Sequence, residues 1–561
     1  MKKISSLKYL SLLAIIILTA LTIGCGGGGG GGGGPVGPGT DFNPTSVVSP
    51  DTVPTLSQPA KLYNYRSTAA NTALVIPVES SESVRYALTV SNTGPVSQTV
   101  GFKPESYVTW VPAASVMADV RASVADDLMV IRTAQTGLEA KLRQDFIDSM
   151  RSSSQNLRAN RSVRAANNVG EEVGEDRTFY VTGDGSTYIP ITCRLAIKGS
   201  KCKIFVDKNP YPAVNGYSAV EVTSRGDFRI TDEDLEHFVS EFDTKIYPLL
   251  TDHYGPAYDI DNDKMLSIVL SPFYAYFNFA GLFNSNDLHP SPKTTGTTQY
   301  SNQRDLIALW SPNGTWVGEK WREATRETIA HEMQHIVNMS AKVYPNGVLR
   351  DSPPANIDNW LETYWLDESL AVGVEARYRL LRGDPARENR FDRWADNPHA
   401  VGMESFSYSF NAFEHYGQKG LFNLYLFEKY GAAKIKSLVQ TTTTGKANIE
   451  NVYGLSIDTL VKNWSIAVMN ESLRSQGFTS LSGVDTLHRY TNVLDGPGKK
   501  FVIASKNLAF GQAASDLTLA PYATAYYVIQ QPAGFSADEY RFRIESTEGQ
   551  PIEIMMMRLP Q

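Results

Sequence analysis

Two histidines four residues apart constrain the fold of this chain more than any other feature. They are His331 and His335, in the run Arg326-Glu327-Thr328-Ile329-Ala330-His331-Glu332-Met333-Gln334-His335-Ile336-Val337. On an α-helix, positions i and i+4 lie about 40° apart around the axis, so both imidazoles leave one face. That spacing lets both bind one Zn²⁺. Glu332 is displaced around the helix and can reach a metal-bound water without being a ligand. Ile329, Met333, Ile336 and Val337 give the helix an apolar side to bury. The competing reading is a surface helix that happens to carry two histidines.

A catalytic zinc takes three protein ligands and keeps one position open. The downstream candidate is Glu368, in Trp365-Leu366-Asp367-Glu368-Ser369-Leu370-Ala371, on a helix predicted over 358–381. Apolar residues on both sides of Glu368 predict burial. An unpaired buried carboxylate is expensive, whereas a metal-bound one is not. A solvated helix charge is the bland alternative. Glu362 and Glu375 are the next candidates for third ligand.

The pair of segments His331-Glu332-Met333-Gln334-His335 and Trp365-Leu366-Asp367-Glu368 resembles a gluzincin, a zinc peptidase whose third ligand is a Glu on the next helix. More narrowly, the chain resembles the hyicolysin family of bacterial secreted peptidases. Supporting stretches are Tyr258-Asp259-Ile260-Asp261-Asn262-Asp263, Ala280-Gly281-Leu282-Phe283, Asp305-Leu306-Ile307-Ala308-Leu309 and Tyr416-Gly417-Gln418-Lys419-Gly420-Leu421-Phe422. The resemblance covers roughly residues 180–475. Asp367-Glu368-Ser369 stands where Asn-Glu-Gly is commoner.

The resemblance implies a thermolysin-like, two-lobed α+β domain that hydrolyses peptide or protein substrates. Zn²⁺ would be held by His331, His335 and Glu368, with Glu332 as general base. Tyr416, with His415 beside it, is the candidate donor to the oxyanion. The strand at 305–310 is expected to be the edge on which a peptide pairs. The alternative of a different class is a non-catalytic, lipid-anchored binding protein or adhesin. Retention of Glu332 argues against it. An aminopeptidase would carry a Gly-x-Met-Glu-Asn-type motif ahead of the zinc helix; Gly402-Met403-Glu404 comes after it.

Around this domain the chain divides further, since 561 residues are too many for one core. Lys2 and Lys3 followed by an apolar run from Leu10 to Ile23 make a secretory signal over 1–24, and Leu21-Thr22-Ile23-Gly24-Cys25 resembles a bacterial lipobox, so Cys25 is expected to be lipidated; an ordinary cleaved signal peptide is the alternative. Residues 25–57 form a Gly/Pro-rich tether that opens with nine glycines. A small β-domain is expected over 58–112, a helix and solvated linker over 113–177, the peptidase domain over 178–477 and a second β-domain over 485–561. The expected location is extracytoplasmic, on a bacterial membrane through the lipid, with the outer membrane or cell surface favoured. A net charge of −7 without a basic domain argues against nucleic acid as a partner.

Two further readings concern ions and cysteines. Cys193 and Cys202 flank the turn Ile197-Lys198-Gly199-Ser200, and export permits oxidation, so a cross-strand disulfide is expected. Asp259, Asp261 and Asp263 alternate like the start of a Ca²⁺ loop. Lys264 replaces the usual turn glycine, and Leu270 stands where the last Glu belongs. The alternative is an Asx-rich turn before a strand.

Overall fold

The structure is a computed structural model. It describes residues 46–48, 62–67, 71–77, 84–104, 138–150, 170–208, 230–277, 279–289, 300–312, 316–350, 360–383, 389–406, 412–478, 484–495, 500–509, 514–531, 539–546 and 551–559. The signal segment, Cys25, the run of nine glycines and the Arg-containing stretch after residue 150 lie outside these residues, whereas residues 46–48 of the expected tether form a strand paired with residues 72–74.

In chain order come β1 (Ser46–Val48), β2 (Leu62–Ser67), β3 (Asn71–Pro77), β4 (Val84–Asn92) and β5 (Gln98–Pro104), then a helix α1 over 138–150. Next are β6 (Asp176–Thr182), β7 (Tyr188–Lys198), β8 (Cys202–Asp207), α2 (Asp232–Glu241), β9 (Leu266–Ser271), β10 (Gly281–Leu282) and β11 (Leu306–Trp310). The helical part follows, with α3 (Gly318–Val343), α4 (Tyr364–Arg382), α5 (Asn389–Asp396), α6 (Ala412–Tyr430) and α7 (Ile457–Ser475) among its helices. The chain ends in β12 (Lys506–Ala509), β13 (Ala514–Leu519), β14 (Thr524–Gln531), β15 (Glu539–Ser546) and β16 (Ile552–Arg558). Sheet and helix thus segregate along the chain, an α+β arrangement.

The β-segments expected as two separate domains, 58–112 and 485–561, are one structure. One sheet has the order β1-β3-β15-β5-β13 and the other β12-β14-β4-β16-β2, so both mix strands from the two ends of the chain. Val100 and Phe102 of one sheet share a buried cluster with Leu88, Tyr527, Ile554 and Met556 of the other. Phe102 and Tyr527 meet with ring centroids 4.5 Å apart. Period-two alternation marks a strand but says nothing of its partner, which is why the sequence suggested two domains. Each half alone would leave unpaired edges.

The sheet that positions the site has the order β10-β11-β9-β8-β7-β6. β9 is parallel to β8 and to β11, and all of its residues are buried, as are those of β11. β11 was expected to be the free edge. It is internal: β10 pairs antiparallel with it, Gly281 opposite Leu309 and Leu282 opposite Ala308. The edge beside the long helix is therefore β10. A Cβ at Gly281 would lie 2.5 Å from Thr328 Cγ2 and 3.2 Å from Glu332 Cγ, so the lack of a side chain lets β10 lie against α3.

The β7–β8 hairpin turns where the sequence suggested, but Cys193 and Cys202 do not bond. Cys193 lies opposite Asp207, at the far end of β8 from Cys202. Five residues of strand separate the two positions by roughly 16 Å at ~3.3 Å per residue. A disulfide needs Cα atoms within about 7 Å. Both are buried free thiols whose pKa values are pushed up by burial. Flanking a turn was an insufficient signal, because the two cysteines stand at unequal distances from it.

The helix predicted over 358–381 begins at Tyr364. It ends at Gly383, whose φ of +69° closes it in the left-handed conformation. α4 packs between α3 and α6. At Gly417 of α6 a Cβ would lie 2.0 Å from the Arg390 carbonyl oxygen, so this glycine sets how closely α5 approaches.

Candidate metal centre

α3 is buried along most of its length, and His331, Glu332 and His335 all lie in its buried part. The two imidazoles are 4.8 Å apart between ring centroids, as the i, i+4 spacing requires. α4 brings Glu368 up to them. His331 Nε2 lies 3.4 Å from one Glu368 oxygen, and His335 Nε2 lies 3.9 Å from the other. One ligand atom from each of the three residues lies within 4.8 Å of the others.

The donor set fits a tetrahedral cation. His335 Nε2 and both oxygens of Glu368 are buried without a hydrogen-bond partner. Buried polar groups are nearly always paired, and buried carboxylates more so. Two imidazoles and one carboxylate converging on one point are the protein ligands of a catalytic zinc site.

Each histidine is held from behind by a carboxylate, a feature the sequence reading did not assign. His331 Nδ1–H donates to Glu375 Oε1 at 2.5 Å, and Glu375 in turn is paired with Arg390. His335 Nδ1 faces Asp367 Oδ2 at 3.1 Å. Asp367 also accepts from Asn338 at 2.5 Å and is paired with Arg143 of α1. Such partners fix the ring orientation and raise ligand basicity. Burial pulls both imidazoles down, but the surrounding carboxylates outweigh it. His331 is raised to about 9 by Glu375 and Glu368, and His335 to about 10 by Asp367 and Glu368. The local field therefore favours positive charge at this point.

Glu375 had stood as a substitute third ligand, and it occupies this backing position instead. Glu362, the other substitute, is committed to Gly445 N at 2.5 Å, Asn448 at 3.0 Å and Lys342 at 3.1 Å. The signal for Glu375 was available, since it lies seven residues, about two turns, from Glu368 on the same helix. Arg143 had no such signal. It lies over two hundred residues before its partner Asp367.

Glu332 is not one of the three converging residues. Its Oε2 accepts the Phe283 backbone N–H at 2.9 Å, at the end of β10. Burial raises its pKa, while the positive histidines beside it oppose that shift. Tyr416 of α6 packs beside the site, its ring centroid 6.4 Å from that of His331, with the Arg390 guanidinium 5.7 Å from the same ring centroid. His415 turns elsewhere, to the Ser405 carbonyl at 3.1 Å and the Lys419 amine at 3.0 Å. One turn before Glu368, Tyr364 donates to Glu139 of α1 at 3.0 Å. The second candidate group, Asp259, Asp261 and Asp263, is also brought together, with oxygens within 4.8 Å.

No family model matches the chain. It is similar to the neutral metalloprotease ShpI of Staphylococcus hyicus, 22% identical over 269 residues. The match covers 46% of this chain and 58% of the relative, so the chain spans a little over half the length of the protein it resembles. A distant likeness to a metalloprotease, together with a His-His-Glu cluster able to hold its metal, supports a metal-dependent protease in general.

Proposed function

We propose that the chain is a zinc endopeptidase of gluzincin type, most like the hyicolysins. The observation that carries this reading is the buried trio His331, His335 and Glu368, with unpartnered ligand atoms and Glu332 beside it. Zinc, when bound, polarises the scissile carbonyl and lowers the pKa of a water toward ~7. Glu332 takes the proton of that water and delivers it to the leaving amine. The Phe283 N–H holds one Glu332 oxygen and fixes the carboxylate for that transfer. β10, the end strand of this sheet among the described residues, offers its edge to an extended substrate strand, which would run past Glu332. Tyr416 is the donor proposed for the developing oxyanion.

The test is digestion of a peptide library with the zinc-loaded protein, read by product mass spectrometry. Cuts at internal bonds that disappear on zinc removal and return on its addition are expected. Release of single N-terminal residues would point to an aminopeptidase instead.

The anchoring proposal rests on the segment ending in Gly24-Cys25. No described helix is long and apolar enough to cross a membrane. Cys25→Ser is expected to abolish fatty-acid labelling and move the protein out of the membrane fraction. Undiminished labelling would exclude Cys25 as the attachment point.

A further inference from the structure

The loop into β9 carries Asp259, Asp261 and Asp263, at spacings matching positions one, three and five of a calcium loop. Such a loop turns on a glycine at position six and closes with a carboxylate at position twelve. Here those positions hold Lys264 and Leu270. The structure accounts for both departures. Lys264 itself adopts φ +64°, the left-handed conformation that glycine normally supplies. Leu270 is buried in β9, but a carboxylate arrives from the neighbouring strand.

That carboxylate is Asp305. β11 runs parallel to β9 with Leu306 opposite Ser267, and Ser267 N donates to the Asp305 carbonyl at 3.0 Å. Residue 305 therefore lies at the end of the sheet where the acidic loop enters. Asp305 is 5% exposed, and its Oδ1 has no hydrogen-bond partner. The strand register sets this buried carboxyl beside the start of β9, where the loop enters, and burial together with the charges of Asp261, Asp263 and Asp259 holds it well above the ordinary range.

The loop is already shaped for a ligand. Asp259 accepts Asp263 N and Lys264 N, both at 3.0 Å, and Asp263 Oδ1 accepts Met265 N at 2.7 Å. A carboxylate oxygen has a second lone pair, so these bonds orient the loop without exhausting its acceptors. Nearby cations are shared. Lys203 pairs with Asp263 but also with Glu171 at 2.6 Å, and Arg304 pairs with Glu171 at 2.5 Å.

We propose that Asp259, Asp261, Asp263 and Asp305 form a calcium site that ties the loop before β9 to the start of β11. An all-oxygen donor set without His or Cys suits calcium rather than zinc. The site would brace β9 and β11, the second of which pairs with β10. It stands apart from the peptidase reading and does not depend on it.

The experiment uses the full-length, zinc-loaded chain in buffer freed of calcium by a chelating resin. CaCl2 is added up to about 10 mM, above the ~10⁻⁴–10⁻³ M dissociation constants of extracellular calcium modules. Thermal unfolding and isothermal titration should give a Tm higher by several degrees and one calcium bound per chain. Asp305→Asn and Asp261→Asn should abolish both responses. In calcium-free buffer these variants should melt no lower than wild type, because each replaces a carboxyl crowded by other acidic groups with an uncharged group of the same shape. If Asp305→Asn melts lower, titration well below its Tm decides, and heat at wild-type affinity would remove Asp305 from the site. A wild type without shift or heat would overturn the proposal. So would an equal response to MgCl2.

Discussion

Glu332→Gln is expected to keep zinc and fold yet lose peptide hydrolysis by at least ~10²–10⁴-fold, the contribution of general base catalysis. Glutamine matches glutamate in shape and can still accept the Phe283 N–H through its carbonyl oxygen. It cannot take a proton from water. The side chain is fully buried, so no solvent carboxylate can replace it. Zinc content should be unchanged, since Glu332 is not among the three converging ligands. The check is a side-by-side measurement of bound zinc and casein or peptide hydrolysis for both proteins. In the same assay Tyr416→Phe should cost at most the ~10²–10³-fold of one oxyanion donor. Equal activity in wild type and Glu332→Gln would place the cleavage elsewhere. Absence of activity in both, with zinc bound, would favour the binding-protein reading.

Glu368→Ala should strip the metal. The two remaining imidazoles cannot complete a closed donor set, and neither substitute is free to help. Glu375 is bonded to His331 and Arg390, and Glu362 to Lys342, Gly445 and Asn448. The loss in zinc affinity should exceed the ~10–100-fold typical of removing an outer partner such as Glu375. Hydrolysis should fall with it. The fold should survive, because α4 keeps its packing on α3 and α6 when this one carboxylate is removed. Zinc by elemental analysis after dialysis, with circular dichroism as the fold control, reads both. Full zinc and full activity in Glu368→Ala would mean that the third ligand is a different residue.

The centre was legible because its information is local. His331, Glu332 and His335 sit within five residues on one helix, and a fixed helical pitch converts that spacing into geometry. Glu368 needed one further step, the packing of α4 on α3, which burial of its neighbours suggested. What stayed hidden depends on pairings between distant segments. Arg143 reaches Asp367 from a helix far upstream, and Asp305 joins the acidic loop only because β11 lies beside β9. The cysteine pair failed for a related reason. A turn was recognised correctly, but strand register decides which residues face each other, and Cys193 met Asp207. The two β-segments misled most, since strand patterns carry no record of their partners.

The shared β-structure makes everything from α1 to α7 an insertion between two halves of one module. β4 is flanked by β14 and β16, and β15 lies between β3 and β5. A chain made from its N-terminus holds β2, β4 and β5 without their partners, and β3 with β1 alone, until the stretch beyond Lys506 has been synthesised, so closure of this module comes late and is slow. Once it has closed, the ends of the intervening domain are fastened to each other through backbone ladders. A single cut in a loop of the inserted domain then leaves two fragments that remain joined through those ladders.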